Sequence, residues 1–418
     1  MLRGDRDADL QKFIFQEARK ELTTNAKTAL GALSFFVPSA TFEAWMQVAE
    51  LSRNALETTI DRLSALSLVD VLAGEERYAL HPLTRAFARD ELLADANVAR
   101  DTGMRFAKYW VDYAKRYGGE EKESYKTYDR LEAEWMNLGA AANWLWETAS
   151  VQGESVRDKD AARMLNDLVS ASGQFLWFGG RWDEVIDFNG RAYEVALAIQ
   201  DWSGAGWHAR DVFWINYNRS QTNDAKLWAD RCTAVWTRGG DSYEQAVSFE
   251  IQGAIARQSD EDEKAIKFYN DALAIYKDLG WEKDVANVSI RLGNLALKRE
   301  DYDAAERYQG EALEVAQRTG DKESQAICAG NLGLVSRRRM QWEVARKWYE
   351  KALALMQEVG RQDEIARMKY GLSHVHEAEG RADLALPLAQ EALKIYERLQ
   401  HRDLAEVREL VERLGPPP

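Results

Sequence analysis

A 40-residue period runs through the second half of the chain and limits its possible folds more than any other feature. The block 304–313 has close counterparts forty residues earlier, at 264–273, and forty residues later, at 344–353. Small residues recur at one position of each unit as Val185, Ala225, Ala265, Ala305, Ala345 and Ala385. A second small series follows seven residues on as Ala192, Cys232, Ala272, Ala312, Ala352 and Ala392. Six units in one register, with no insertion, indicate a repeat architecture.

The spacing of the small residues predicts pairs of helices that stack on one another. Residues seven apart lie on one face of a helix, where small side chains let a second helix approach closely. A glycine on the preceding helix meets that face, and it recurs as Gly173, Gly253, Gly293 and Gly333. One helix pair cannot bury its apolar face alone, so the units are expected to form a solenoid. The chain has only six prolines, three of them at 416–418, which leaves few obligatory helix breaks.

These repeats resemble the tetratricopeptide repeat (TPR). Its signature is Leu-Gly on the first helix, an aromatic residue before the second helix, then Ala and Ala-Leu. One unit carries this signature as Leu292, Gly293, Tyr302, Ala305, Ala312 and Leu313. The resemblance covers residues 156–414 and implies a TPR-like right-handed α-solenoid of six 40-residue repeats, longer than the usual unit of about 34 residues.

Residues 23–97 have a different pattern, which predicts a winged-helix domain. Three helices are expected at 25–36, 41–49 and 53–66, then a β-hairpin with strands at 68–72 and 77–80. Pro82 is expected to open a last helix. The fold class is therefore all-α with one small β-hairpin wing. The expected parts are a helical arm of a missing upstream domain (1–22), the winged-helix domain (23–97), a helical connector (98–155), the repeats (156–414) and a tail (415–418).

Two segments resemble parts of the signal-transduction ATPases with numerous domains (the STAND class, which includes the NB-ARC group). Residues 78–89 are similar to the winged-helix segment that follows the nucleotide-binding core. Residues 131–141 are similar to the connector between winged helix and repeats in bacterial members. The order of parts matches the class along nearly the whole chain. The resemblance implies that His81 occupies the position that faces the nucleotide β-phosphate in some members.

The sequence lacks the phosphate-binding loop Gly-x-x-x-x-Gly-Lys-Ser/Thr of such an ATPase core. We therefore expect the C-terminal part of a longer protein, or a natural remnant without ATPase activity. The upstream nucleotide-binding domain would be a partner, and ADP or ATP would bind only where that core is present. We expect no cofactor, no metal site and no catalysis in this chain, because its five histidines and two cysteines have no ligand spacing.

Charge and composition restrict the compartment and the partners. The formal net charge is −14, from 55 basic and 69 acidic residues, and residues 21–95 alone carry six basic and eleven acidic residues. A helix that reads a DNA groove needs a basic surround, so this balance disfavours DNA binding. Two cysteines indicate a reducing compartment. The sequence has no membrane-spanning apolar stretch and no secretory apolar region at its start, and the expected location is cytoplasmic.

The first helices of such repeats line the concave face, and their solvent-facing positions are the candidate ligand or peptide groove. These positions are aromatic in the early repeats and rich in basic and amide side chains in the later ones. They are Trp177, Trp207, Trp214, Tyr217, Asn218, Arg257, Arg291, Asn294, Lys298, Asn331, Arg337 and Arg338. Amides would hold a peptide backbone, basic groups its acidic side chains and aromatics its apolar ones. A structural alternative remains: basic groups near helix C-termini complement the helix dipole, and aromatic residues fill helix interfaces.

The function predicted from these features is a sensor and regulatory module. A peptide, protein or ligand effector would bind the groove, and the winged helix would relay the bound state to the ATPase core. The family resemblance implies autoinhibition that effector binding releases, which requires different effector affinities for the closed and open states. Two alternatives are a transcriptional regulator, whose winged helix binds DNA and whose repeats bind an inducer, and a passive TPR assembly scaffold.

Overall fold

The computed structural model describes residues 20–72, 74, 76–119, 124–153 and 155–415. The chain divides into two compact units. Among the described residues, the first unit covers 20–117, 129–150 and 156–171, and the second covers 118–128, 151–155 and 172–415. All but the last three residues of the predicted arm at 1–22 lie outside the described residues.

The first unit is built of short helices and a small sheet, followed by longer helices. In chain order its elements are α1 (Thr24–Leu33), β1 (Ser39–Thr41), α2 (Phe42–Ala49), α3 (Arg53–Ala65), β2 (Asp70–Leu72), β3 (Arg77–Ala79), α4 (Pro82–Phe87), a π-helix (Ala88–Leu92) and α5 (Ala96–Gly118). The next elements in the chain are a 3-10 turn (Ser124–Thr127), α6 (Tyr128–Ala133), α7 (Trp135–Ala149), β4 (Val151–Gln152) and β5 (Ser155–Val156). The first unit contains α7 and nearly all of α6, whereas the 3-10 turn and β4 belong to the second unit.

The predicted hairpin is part of a three-stranded antiparallel sheet with strand order β1-β3-β2. Ala40 and Val71 both lie opposite Tyr78, one on each side of the central strand. The sequence prediction missed β1, because a strand of three residues is too short to show an alternating pattern. Thr41 ends this strand and caps α2, since its hydroxyl accepts a hydrogen bond from the Ala44 amide at 3.2 Å.

Polar contacts across the first unit fasten this sheet to α7. Arg77 on β3 makes a bidentate ion pair with Glu134, at 2.5 and 3.0 Å. The Asn137 amide donates to the Ser39 carbonyl at 3.1 Å and to Glu134 at 2.8 Å. Glu134 is only 5 % exposed, and its charge is balanced by the guanidinium that it binds.

The second unit is an all-α solenoid of TPR-like repeats. Its helices, after α8 (Lys159–Phe178), are α9 (Trp182–Ala198), α10 (Trp202–Asn218), α11 (Thr222–Gly239), α12 (Ser242–Gln258), α13 (Asp262–Asp278), α14 (Glu282–Lys298), α15 (Tyr302–Thr319), α16 (Lys322–Arg338), α17 (Trp342–Val359), α18 (Gln362–Ala378), α19 (Ala382–Leu399) and α20 (Leu404–Leu414). From α9 to α19, helices start every 20 residues, in agreement with the 40-residue pair that the sequence predicts.

The helix ends repeat as regularly as the helix starts. A residue with positive φ stands every 20 residues from 180 to 400, except at Gly240, where φ is −80°. These residues are Gly180, Gln200, Ser220, Asp260, Gly280, Glu300, Gly320, Met340, Gly360, Gly380 and Gln400. A left-handed residue after the last helical turn ends the helix and reverses the chain. Six of these eleven positions therefore carry a side chain in a conformation that favours glycine.

The small residues allow the close approach that their spacing predicts. Every member of the two small-residue series is at most 1 % exposed. A Cβ placed on Gly253 would lie 2.5 Å from the ring of Tyr269 in the partner helix, a distance that real contacts do not reach. The glycine is therefore required by packing in this repeat rather than by its backbone conformation.

Candidate functional site

The last repeat of the solenoid contacts its first two repeats. The Arg402 backbone amide donates to the Asn218 carbonyl at 3.0 Å, and Arg219 Nε donates to the Leu399 carbonyl at 3.0 Å. The His401 ring stacks on Tyr396 with ring centres 4.2 Å apart and lies 6.0 Å from the ring centre of Trp182. The turn between α19 and α20 thus closes against the turn after α10, and the first helices surround an interior.

Two cavities open into this interior, with volumes of about 380 and 460 Å³. Both are lined by Asn218, Arg257, Asn294, Ile327, Arg361, Glu364 and Arg402, so they adjoin. Volumes of this size are typical of pockets for small organic ligands.

Ten of the twelve predicted groove residues line these cavities. They are Trp177, Trp214, Tyr217, Asn218, Arg257, Arg291, Asn294, Lys298, Asn331 and Arg338. The other two, Trp207 and Arg337, line neither cavity. Trp207 packs edge-on against Trp236, with ring centres 5.2 Å apart, and its Nε1 donates to Glu244 at 3.1 Å. Its place is the interface with the following repeat.

The described cavity lining is basic, although the chain as a whole is acidic. Nine lysines and arginines line the two cavities, namely Arg210, Arg257, Lys283, Arg291, Lys298, Arg338, Arg361, Arg367 and Arg402. Five carboxylates share the walls: Asp211, Glu323, Asp363, Glu364 and Asp403. This excess of positive charge favours anionic over cationic ligands.

A ladder of polar contacts between successive repeats occupies most of the basic and amide groups. Arg291 pairs with Glu250 at 2.6 Å, and Lys298 pairs with Asp262 at 2.8 Å. In the later repeats, the Asn331 amide donates to Asn294 Oδ1 at 2.8 Å. Asn331 Oδ1 in turn accepts from Arg367 at 2.9 Å. Apart from the Lys298–Asp262 pair, which reaches the second helix α13, these contacts join neighbouring first helices, in addition to any contact with a ligand.

The aromatic part of the wall is also in contact with guanidinium groups. The Arg291 guanidinium lies 4.3 Å from the ring centre of Trp214, and Arg361 lies 5.7 Å from that of Trp177. Such cation–π contacts hold the ring planes in place along the cavity. An aromatic ligand could stack on them only where a ring face is left uncovered.

Two lining arginines, Arg257 and Arg338, have no carboxylate within 4.0 Å among the described residues. Arg257 instead donates to the Tyr217 hydroxyl, at 3.1 Å from Nε and 2.5 Å from Nη2. Burial raises the pKa of Tyr217, but the charges of Arg257 and Arg402 outweigh it and leave the pKa below its usual value. Arg257 therefore brings a positive charge without a paired carboxylate to this point of the lining, next to Arg402.

The predicted groove does not include the start of the first helices or the α19–α20 turn. Lys283, Glu323 and Asp363 line the cavities at one position of the 40-residue repeat, and Asn287, Ile327 and Arg367 do so at another. The repeat register was the signal that could have found them. His401 stands forty residues after Arg361, which lines both cavities. Arg402 has no lining counterpart at the corresponding position of the earlier repeats, and it reaches the site only through the contact of the last repeat with repeats one and two.

Near the end of the repeat array, burial and a neighbouring arginine change the pKa values of two carboxylates. Burial raises the pKa of Glu323 even though Arg361 opposes the effect. The pKa of Asp363 is lower than usual. Burial alone would raise it, but the positive charge of Arg361 has the larger effect. Arg361 Nε lies 3.0 Å from Asp363, and Arg361 also pairs with Glu323. This triad is a buried link between two first helices.

His81 lies on the surface of the first unit and caps α4. Its Nδ1 accepts a hydrogen bond from the Leu83 amide at 3.3 Å. Over the described ranges, no group of three or more His, Cys, Asp or Glu side chains has the geometry of a metal site. None of the helices within those ranges is both long and apolar enough to cross a membrane.

Comparison with known proteins identifies the repeats. Residues 284–358 and 330–398 match the family model of the tetratricopeptide repeat. The chain therefore contains TPR repeats, and the match indicates no catalytic family. No curated protein matches this chain in sequence.

Several solved structures are similar to this chain. One is a signal transduction ATPase with numerous domains (STAND) protein with a tetratricopeptide repeat sensor from Pyrococcus horikoshii, with 14 % identity and a TM-score of 0.44. The match covers 96 % of this chain and 61 % of that one, so the chain spans less than two thirds of that protein. A Rap protein complexed with competence and sporulation factor matches at 13 % identity, a TM-score of 0.47 and coverage of 79 % and 94 %. Aspartyl phosphate phosphatase F from Bacillus subtilis matches at 13 % identity, a TM-score of 0.42 and coverage of 75 % and 79 %.

Proposed function

We propose that this chain is the sensor and regulatory part of a STAND-type signalling ATPase. In this proposal the TPR interior binds an effector, a peptide or a small ligand, and the first unit relays the bound state to an upstream nucleotide-binding domain. The basic, adjoining cavities carry the proposal, because they bring ten predicted groove residues from five repeats to one interior. A ligand there would contact several repeats at once and could bias the curvature of the solenoid.

The first unit would act as a winged-helix relay. The order of α1, β1, α2, α3, β2 and β3, with the sheet order β1-β3-β2, supports a winged helix. His81 would be the position near the nucleotide in the full ATPase. Its exposed ring at the start of α4 is compatible with this role, since only Nδ1 is used in the cap.

Contacts of α3 argue against DNA binding by this unit. Arg53 pairs with Glu57 at 3.6 Å and lies over the ring of Phe42, and Arg62 donates to the Glu21 carbonyl at 2.6 Å. Both basic groups of the helix that would enter a groove are therefore engaged. An electrophoretic shift that is specific in sequence at physiological salt would instead support the transcriptional regulator.

The proposal is tested by selecting random peptides from a display library against the purified chain. A variant with reversed charge at Arg257, Arg291, Lys298 and Arg338 serves for counter-selection, and we expect families of acidic peptides that bind only the original chain. The matched control reverses Arg318 and Lys347, two exposed basic residues on second helices. Peptides that bind the cavity variant and the original chain equally well would contradict the interior site.

Folding and relay need separate measurements. The fourfold variant removes Arg291, which neutralises the buried Glu250, and this puts the fold at risk. The single variant Arg338→Gln leaves that ion pair intact and carries little risk to the fold. Hydrogen exchange with a selected peptide then tests the relay. Altered protection within residues 24–93 supports it, whereas protection confined to the repeats would indicate a passive scaffold.

A further inference from the structure

The Tyr217 hydroxyl lies in a surround that only donates hydrogen bonds. Arg257 donates to it twice, and the Arg402 guanidinium on the α19–α20 turn lies 5.4 Å from the centre of the Tyr217 ring. A guanidinium has five N–H donors and no acceptor, so neither arginine can accept the hydroxyl proton. Over the residues that the structure describes, no other group accepts it. Tyr217 is only 4 % exposed and lines the larger cavity, so an acceptor for its proton has to come from that cavity.

The surroundings of the Tyr217 hydroxyl are positively charged, at the place where the two cavities meet. Asn218, Arg257 and Arg402 line both cavities, and Tyr217 lines the larger one. The nearest carboxylate to Arg402 is its neighbour Asp403, at 3.7 Å, which is too long for a hydrogen bond.

The remaining charged groups nearby are already neutralised. Lys298 holds Asp262 at 2.8 Å, and Arg367 holds Glu364 at 2.6 Å. Arg361, which lines both cavities, is paired with Asp363. Within the described chain, Asp403 at 3.7 Å from Arg402 is thus the one carboxylate near the two arginines at Tyr217, and Arg257 has none within 4.0 Å.

We propose that this junction binds an oxyanion, a carboxylate or a phosphate group, between Arg257, Arg402 and the Tyr217 hydroxyl. The inference rests on the proposed function and names the chemistry of its effector at one subsite. The anion would accept the Tyr217 proton and balance both guanidinium groups, and Asn218 could add an amide donor. Charge-assisted bonds of this kind are the stronger class of protein hydrogen bonds.

An anion at this position would also fasten the ends of the solenoid together. Arg257 belongs to the third repeat, whereas Arg402 belongs to the turn that closes against Asn218. A ligand that binds both holds the closed arrangement in preference to an open one. Its affinity difference between the two arrangements is what shifts the population.

Isothermal titration of the full chain with inorganic phosphate, and separately with succinate, tests the site at matched ionic strength in chloride. We expect saturable binding of at least one of them. Tyr217→Phe, which removes one donor to a charged ligand, should weaken it about tenfold. Arg402→Gln should weaken it further, and Arg318→Gln, an exposed control, should leave it unchanged. The tighter of the two ligands identifies phosphate or carboxylate as the preferred group.

Tyrosinate absorbance gives a readout that a purely structural role would not move. The difference between the original chain and Tyr217→Phe reports the ionisation of Tyr217. Bound anion should shift that ionisation to higher pH, because a second negative charge disfavours the phenolate. No saturable binding of phosphate or succinate, or equal binding by Tyr217→Phe, would overturn the proposal.

The two proposals fail in different ways. Selected peptides that depend on the cavity but bind Tyr217→Phe and Arg402→Gln normally would remove the oxyanion subsite and leave the sensor function standing. Anion binding without any cavity-dependent peptide would leave the subsite standing and remove the peptide as effector.

Discussion

The early and late repeats are packed by different means, although they share one length and one register. Between Tyr193 and Leu295, most of the buried side chains form one continuous core, with large aromatic groups such as Trp236, Tyr269 and Tyr276. Over the later repeats the described core consists of smaller separate clusters. There, the amide and ionic ladder through Asn331 and Arg367 spans the spaces between first helices.

One repeat position shows the two kinds of packing directly, with an apolar residue in one repeat and a polar residue in another. Ile251 and Asn331 lie eighty residues apart in the same register, each two residues before the recurrent glycine of its repeat. Ile251 is fully buried in the continuous core, whereas Asn331, 3 % exposed, bonds to Asn294 and Arg367. The same backbone position in a repeat thus accommodates either a buried apolar side chain or a hydrogen-bonded polar one. Apolar packing tolerates many partners, while the ladder requires matched donors and acceptors in adjacent repeats.

The largest effect should come from Trp236→Ala, which opens a cavity in the continuous core. We expect a loss of about 3–5 kcal/mol in the free energy of unfolding. Hydrogen exchange should show lost protection across residues 193–295 together. Met356→Ala, in one of the small late clusters, should lower protection only near its own repeat. Equal spreading from both sites would contradict the contrast between the two regions.

Acid should destabilise the early repeats through His208. Burial lowers the pKa of His208 to about 4, while the ring lies 2.8 Å from Asn189 Oδ1. Between pH 6.5 and 4 the unfolded chain therefore binds a proton that the native state does not bind. The free energy of unfolding falls by up to about 3 kcal/mol as the pH is lowered through this range.

Denaturant titrations across this pH range compare two variants. His208→Gln should flatten the fall in stability, because its side chain does not titrate. His374→Gln, in the last repeat, should flatten it less, since that side chain is partly exposed, although its pKa is also lowered to about 4 by burial and the charge of Arg337. An acid slope unchanged by His208→Gln would show that the ring is protonated in the native state.

Exchanging the residues at the shared position tests the two packing solutions. Ile251→Asn should cost about 1–3 kcal/mol, because its amide would be buried in an apolar core without partners. Asn331→Ile should cost a similar amount, since it removes the hydrogen bonds with Asn294 and Arg367. Urea unfolding measures both. A neutral Asn331→Ile would mean that the ladder adds little to stability and that its groups are free to serve a ligand.

The smallest effect separates crowded from open glycines. A Cβ on Gly310, on the late helix α15, would meet nothing within 4 Å, so Gly310→Ala should stabilise the chain by about 0.5–1 kcal/mol. On Gly206, in the early core, it would lie 2.0 Å from Trp236, and Gly206→Ala should destabilise it. Thermal unfolding of the two variants compares them directly.

The sequence by itself determined the solenoid and most of the lining of its interior. The 40-residue register places small residues at helix contacts, and it puts residues such as Arg257 and Asn294 on first helices, because period and helix geometry depend only on local spacing. It could not show that Arg291 and Lys298 are paired with carboxylates, nor that Trp207 turns into a repeat interface. Those outcomes depend on which side chain of the next repeat lies opposite.

Only the tertiary structure brought Arg402 to Tyr217. The two residues are 185 positions apart, and no residue at the position corresponding to Arg402 in an earlier repeat lines the cavities. Their meeting depends on the small rotation between successive repeats, which accumulates until the last repeat contacts the second. A local sequence pattern does not reveal this accumulated rotation. The closure of the solenoid is what brings a line of basic residues together around one interior.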